Sequence, residues 1–247
     1  MPSRLPALLT LAVVGCSSPA VTARRSGAVV HETPELAAVI VRVWAPWYAP
    51  RFMIRRGFAK ALGEYESIAA IRAKYFSISD DRAYGGLYLW SSREAADRHF
   101  TPAWHAKVRD RRGVEPDVQT FAAPFVIDGA VVPRGDERGN RSLAYPGSAT
   151  WARWRVSPGN TSVAAVIAAA LAREPGLVRA FVVVDDGSVG AIALWASRDA
   201  ADRATTSAHL RAIDPRLEQA SVVRFETPLL IDATLRDAAD RAGVEAP

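Results

Sequence analysis

The chain has 247 residues, 49% of them hydrophobic and 23% charged, with 31 basic against 26 acidic side chains and a formal charge of +5. This is globular composition and excludes a disordered or fibrous chain. No apolar run reaches the roughly 18–20 residues of a spanning helix, which excludes a polytopic membrane protein. One cysteine can form neither an internal disulfide nor a Cys-rich zinc site. All the basic residues but Lys60, Lys74 and Lys107 are arginines. They are spread along the chain instead of clustering with stacking aromatics, so no nucleic-acid footprint is present.

The N-terminus has a short positive start at Arg4, an apolar stretch from Leu5 to Val14, then Gly15-Cys16. That is the pattern of a secretory signal. Val13-Val14-Gly15-Cys16 resembles the lipobox of bacterial lipoproteins. The resemblance implies that residues 1–15 are a removed signal peptide, that the Cys16 thiol is acylated and that residues 16–36 are a tether. It further implies an exported protein, lipid-anchored in the cell envelope on the periplasmic side. Ser17 after the cysteine resembles the outer-membrane sorting pattern. An ordinary signal peptide cut after Ala23 is the alternative.

Val39–Ala45, rich in β-branched and aromatic residues, predicts a strand. Ile54, Phe58, Ala61, Leu62 and Tyr65 then fall on one helical stripe, with Arg51, Arg55, Arg56 and Lys60 as its solvated face. Two strands, Ile68–Ser79 and Tyr84–Ser91, are joined through Asp80-Asp81-Arg82. Ser92 is a helix N-cap with Glu94 in the turn that follows, and Phe121–Ile127 is a last strand. The order then recurs. Thr150–Val156 is a strand, Val163, Val166, Ile167, Ala170 and Leu171 line one helix face, and Pro175-Gly176 ends that helix. Asp185-Asp186-Gly187 is a hairpin turn, Ser197 and Asp199 repeat the cap, and Phe225–Ile231 closes the series.

The two series match residue by residue. Trp90–Arg98 and Trp195–Arg203 share seven of nine residues, and Phe121-Ala-Ala-Pro-Phe-Val-Ile-Asp128 parallels Phe225-Glu-Thr-Pro-Leu-Leu-Ile-Asp232. The expected organisation is a duplication, with units at 37–129 and 149–233, a linker at 130–148 and a tail at 234–247. Each unit is βαββαβ, the ferredoxin-like order. Leu87 and Leu89 share one face of their strand and Tyr88 and Trp90 the other; Ile192 and Leu194 likewise oppose Ala193 and Trp195. Both faces are apolar, so both must be covered. The predicted fold is α+β: two tandem ferredoxin-like βαββαβ units packed sheet-to-sheet as an intramolecular dimeric α/β barrel, a monomeric pseudo-dimer.

Glu174-Pro-Gly-Leu-Val-Arg179, Ala73-Lys74-Tyr75-Phe76, Tyr84-Gly-Gly-Leu-Tyr-Leu-Trp90 and Arg112-Gly-Val-Glu115 resemble the YdhR-type group of the dimeric α/β-barrel superfamily, relatives of the antibiotic-biosynthesis monooxygenases. The resemblance implies a cofactor-independent monooxygenase that acts with O2 on a small phenolic or quinone-like compound. Such chemistry needs a substrate anion in a dry pocket, with a cation or donor near the developing oxyanion. On the face read as inward, Lys74, at the family's lysine position, and Tyr88 take the catalytic roles. Arg72, Trp90, Trp44 (with Arg42 beside it), Arg179 and Trp195 line the pocket, Arg179 replacing the lysine in the second unit. His31, His99, His105 and His209 show no metal-ligand spacing, and His99 is placed at a helix end on the surface. Gly85 and Gly86 sit inside a strand, where they mark close packing and not a phosphate cradle. No cofactor is therefore expected. The alternative is a noncatalytic module that binds a small hydrophobic ligand or an envelope partner.

Overall fold

In the computed structural model, residues 23–24, 27–133, 135–156, 162–206 and 221–244 are described. The signal segment and Cys16 lie outside them. Eight strands form the body: β1 (Ala37–Trp44), β2 (Ile71–Ser79), β3 (Ala83–Trp90), β4 (Asp117–Asp128), β5 (Ser142–Arg155), β6 (Leu177–Asp185), β7 (Ser188–Trp195) and β8 (Ser221–Ile231). They pair in the order β4-β1-β3-β2-β8-β5-β7-β6, and β6 pairs back onto β4. Every junction is antiparallel. The fold is therefore α+β, a closed antiparallel barrel whose closure leaves no edge among these strands. The first four strands run 4-1-3-2, and so do the second four. A short strand, Val29–Glu32, extends the β1 edge along β4.

Six helices are present among the described residues: α1 (Arg51–Glu66), α2 (Arg93–His99), α3 (Pro102–Arg112), α4 (Ser162–Leu171), α5 (Arg198–Thr206) and α6 (Ala233–Val244). The expected caps form, since Ser92 Oγ accepts from the Ala95 N–H at 3.2 Å and Ser197 Oγ from that of Ala200 at 3.1 Å. Helix α3 was not anticipated, although its signals are local: Thr101 caps it, Pro102 opens it and Gly113 ends it at φ 73°. β5 starts at Ser142, inside the stretch read as linker, and α6 occupies most of the stretch read as a tail.

Period-2 alternation decides what each strand buries. Ala38, Ile40, Ala73, Tyr75, Leu87, Leu89, Phe121, Trp151, Phe181, Ile192, Leu194 and Phe225 belong to one buried cluster drawn from all eight strands. That cluster is the barrel interior. An eight-stranded barrel is just wide enough for side chains to fill. Tyr75 stacks on Phe181 across it, with ring centroids 5.6 Å apart. The opposite strand faces pack under helices: Val39, Val41, Tyr88 and Trp90 against α2, Phe76 and Ile78 against α1, and Val182, Ala193 and Trp195 against α4 and α5.

A buried polar knot lies in the same layer as Tyr75. Arg179 donates to Asp232 at 2.8 Å and lies 3.4 Å from Asp128. The Tyr75 hydroxyl donates to Asp232 at 3.3 Å, and Asp232 accepts from the Leu235 N–H at 3.2 Å, capping α6. Burial disfavours the charge on Arg179, and the carboxylates, Asp232 foremost, outweigh it.

Candidate functional site

The side chains that carry chemistry meet in the layer between the sheet and the helices of the first half. Lys74 projects from β2 on the side of Phe76, not of Tyr75, and is 2% exposed. Its Nζ lies 2.6 Å from the ring centroid of Tyr65 on α1, 4.1 Å from that of Phe76 and 4.7 Å from that of Tyr88 on β3. Among the described residues no carboxylate forms an ion pair with it. Burial removes the ammonium's water and lowers its pKa well below the ordinary lysine value, with Glu64 pulling weakly the other way. The three ring faces return part of the lost hydration to the charged form. Lys74 is thus a lysine with a far larger share of free amine at neutral pH than a surface lysine has.

The wall continues in aromatic rings. Tyr88 stacks on Trp90 at 6.1 Å, Trp90 meets His99 of α2 at 5.2 Å, and Phe100 packs edge-on to Tyr88 and Trp90. Trp104 of α3 closes on Phe100 at 5.0 Å. Burial raises the pKa of Tyr88 well above the phenol range, and that of Tyr65 too, so both remain neutral donors. His99 is lowered by burial first and by the Lys74 charge second, which favours the neutral imidazole. Trp90 Nε1 and His99 Nε2 are buried with no hydrogen-bond partner among the described residues. Buried polar atoms are nearly always satisfied, so these two ring nitrogens mark a polar opening in the aromatic layer, as Trp151 Nε1 does elsewhere in the barrel. Gly86 belongs to the same layout, because a Cβ there would lie 2.7 Å from the Tyr88 ring.

Among its described residues the second half has no counterpart of Lys74, Tyr88 or His99. Ala180 and Ala193 pair where Lys74 and Tyr88 pair in the first half. Trp195 corresponds to Trp90, but its Nε1 donates to Thr150 Oγ1 at 2.9 Å, and Val39 occupies the position of that threonine in β1. Buried Ala204 stands where the sequence match sets His99.

Lys74, Tyr88 and Trp90 are therefore together as anticipated, but on the helix side of the sheet and not in the lumen. Parity shows which residues share a face. It does not show which face turns inward when both are apolar. Arg72 is exposed at a bulge between Ile71 and Ala73, so it lines no pocket. Trp44 is exposed at the end of β1, with the Arg42 guanidinium 4.9 Å from its ring. Trp195 is buried beneath α4 and α5. Arg179 does not replace Lys74: it sits opposite Leu194, as Ala73 sits opposite Leu89. The β2–β3 loop has three residues, Asp80-Asp81-Arg82, against two in β6–β7, Asp186-Gly187. A one-residue offset in a strand inverts the face. Tyr65 and His99 were missed as site residues. Tyr65 ends the apolar stripe of α1 and was read as core, and His99 is half-buried against Trp90 instead of lying on the surface.

No family model and no curated protein matches the chain. Solved structures do match. A putative monooxygenase from Fusobacterium nucleatum superposes with a TM-score of 0.58 at 7% identity, covering 80% of this chain and 94% of its own. One from Lactobacillus acidophilus gives 0.54 at 11% identity, with 81% and 97% covered. An anthrone oxidase-like protein gives 0.51 at 10% identity, with 83% and 97% covered. At these identities the likeness is one of architecture: the chain has the ferredoxin-type barrel fold of monooxygenase-like proteins.

Proposed function

We propose that the chain is a tandem of two ferredoxin-like units, of which only the first retains a reactive site, and that this site oxidises a small phenolic or quinone-like compound with O2 and no cofactor. The tandem reading rests on the repeated 4-1-3-2 strand order and on the seven shared residues of the Trp90 and Trp195 segments. The observation that carries the chemistry is Lys74, a caged amine without an ion pair among the described residues, beside the unsatisfied Trp90 and His99 nitrogens. As free base, Lys74 takes a proton from an acidic O–H or activated C–H of the substrate. The resulting ammonium, with the neutral Tyr88 hydroxyl and the Trp90 N–H, then stabilises the anion in low dielectric. That anion gives electrons to O2, and the net change is a ring CH2 and O2 converted to C=O and water. The resemblance of the N-terminus to lipoprotein signals supports reading this as the activity of an exported protein, acylated at Cys16 and anchored in the cell envelope on the periplasmic side.

A noncatalytic ligand-binding or envelope module is the second reading. It is favoured by the Tyr65 ring, which already covers the amine at 2.6 Å and must swing away before a substrate reaches it. Oxygen uptake with a panel of anthrones and phenols separates the two. The enzyme reading predicts turnover that falls at least a hundredfold in Lys74→Met and several-fold in Tyr88→Phe. Turnover unchanged in both variants, or binding of a compound with no O2 consumption, removes the catalytic assignment.

A further inference from the structure

Between the end of β1 and the second turn of α1, the chain exposes Trp44, Trp47, Tyr48, Phe52 and Met53, with Trp47 86%, Tyr48 71% and Phe52 68% accessible. Scattered exposed apolar residues are ordinary, but five large ones within ten positions are not. The segment is not slack. Arg82, itself at φ 68° in the β2–β3 loop, donates through Nη2 to the carbonyls of Pro46, Trp47 and Ala49 at 3.2, 2.9 and 3.1 Å. The Ala45 N–H returns a bond to the Arg82 carbonyl at 3.2 Å. Trp47 and Tyr48 pack edge-to-face at 5.8 Å, so the outward rings are held in place.

The charge that α1 presents beside this fan is basic, while Asp81 of the adjoining loop is paired with Arg42. Arg51, Arg55, Arg56 and Lys60 occupy the first three turns of α1, and no acid precedes Glu64. Cations at this end oppose the helix dipole, and Pro50 gives the helix no side-chain cap, so helix stability does not account for them. Arg51 and Arg55 share the single carboxylate of Glu226, and Arg56 and Lys60 have no ion pair among the described residues. We propose that this fan of rings, with its rim of cations, docks the protein on an anionic lipid surface. Trp and Tyr favour the headgroup layer, where their rings are buried and their polar tips stay wet, and cations answer the phosphates. The contact requires neither acylation of Cys16 nor chemistry at Lys74.

The test uses the full chain and vesicles of phosphatidylethanolamine and phosphatidylglycerol with brominated acyl chains, against brominated phosphatidylcholine vesicles. The readouts are local to the patch and so independent of the N-terminal segment. Tryptophan fluorescence is quenched on the anionic vesicles, and most of that quenching disappears when Trp44→Phe and Trp47→Phe are combined, because Trp90, Trp151, Trp154 and Trp195 are buried and Trp104 is half-buried. Arg56→Gln and Lys60→Gln each weaken the quenching isotherm about fivefold, and chymotryptic cleavage at Tyr48 and Phe52 slows at least tenfold when vesicles are present. The proposal is overturned by quenching that survives the combined Trp44→Phe and Trp47→Phe substitution, by equal quenching on neutral vesicles, by no quenching, or by unaltered cleavage. It is also overturned by a lipid-free dimer that dissociates in Trp47→Ser, which would make the patch a protein interface.

Discussion

Replacing Lys74 by methionine separates a buried base from a structural cation. Methionine keeps the length and apolar body of the side chain and removes the ionisable amine. Between the lowered pKa of the folded amine and about 10.4, the value for an unfolded lysine, the unfolded chain holds one more proton than the native protein. Stability of the wild type therefore rises with pH across that window and is lost as pH falls. One proton gives at most about 1.4 kcal/mol per pH unit. Contacts of the ammonium with Tyr65, Phe76 and Tyr88, worth about 2 kcal/mol when desolvated, return part of this. The stability of Lys74→Met relative to wild type should therefore fall by at least about 1 and at most about 2.7 kcal/mol from pH 7 to pH 9. Urea unfolding of both proteins across this range measures it, and taking the difference cancels most other titrations. A variant less stable by more than about 1 kcal/mol, with a gap that does not move with pH, would show that the rings hold Lys74 fully charged and would refute the free-base argument.

Two further substitutions test the scaffold. Asp232→Ala leaves buried Arg179 with Asp128 as its remaining carboxylate among the described residues, beside the Thr234 hydroxyl, and removes the α6 cap, so unfolding free energy should fall by about 3–5 kcal/mol. Adding Arg179→Met should recover more than half; a loss under about 1 kcal/mol would make the knot energetically silent. Trp195→Phe strands Thr150 Oγ1 without its donor and should cost about 1–3 kcal/mol more than Trp90→Phe, whose indole N–H has no partner among the described residues. Equal urea midpoints for these two variants would erase the distinction between a structural and a vacant tryptophan.

Much of this was readable from local signals. The alternation of Leu87, Tyr88, Leu89 and Trp90, the serine caps at Ser92 and Ser197 and the Asp186-Gly187 turn each depend on a few neighbouring residues, and all are found as expected. Lys74, Tyr88 and Trp90 were likewise singled out together, from the resemblance and from strand parity, and strand pairing sets Lys74 directly opposite Tyr88. What failed were statements about partners distant in sequence. Arg179 was set in the place of Lys74 in the second unit, and a one-residue difference in a hairpin loop puts it on the opposite face. His99 was taken as surface because nothing in its own helix shows that Trp90 and Phe100 lie against it.

The sequence alone determined the order of elements, the two-residue parity of each strand and the residue types available for chemistry, since propensity, capping and periodicity act over a few bonds. Only the tertiary structure decided that the Leu87 side closes around the barrel axis while the Tyr88 side lies beneath helices, and that Lys74 ends among rings without a carboxylate partner. Those outcomes follow from how β2 pairs with β8 and β4 with β6, contacts over a hundred or more positions for the first and about fifty or more for the second. Burial and electrostatics act through space, so no window along the chain contains them.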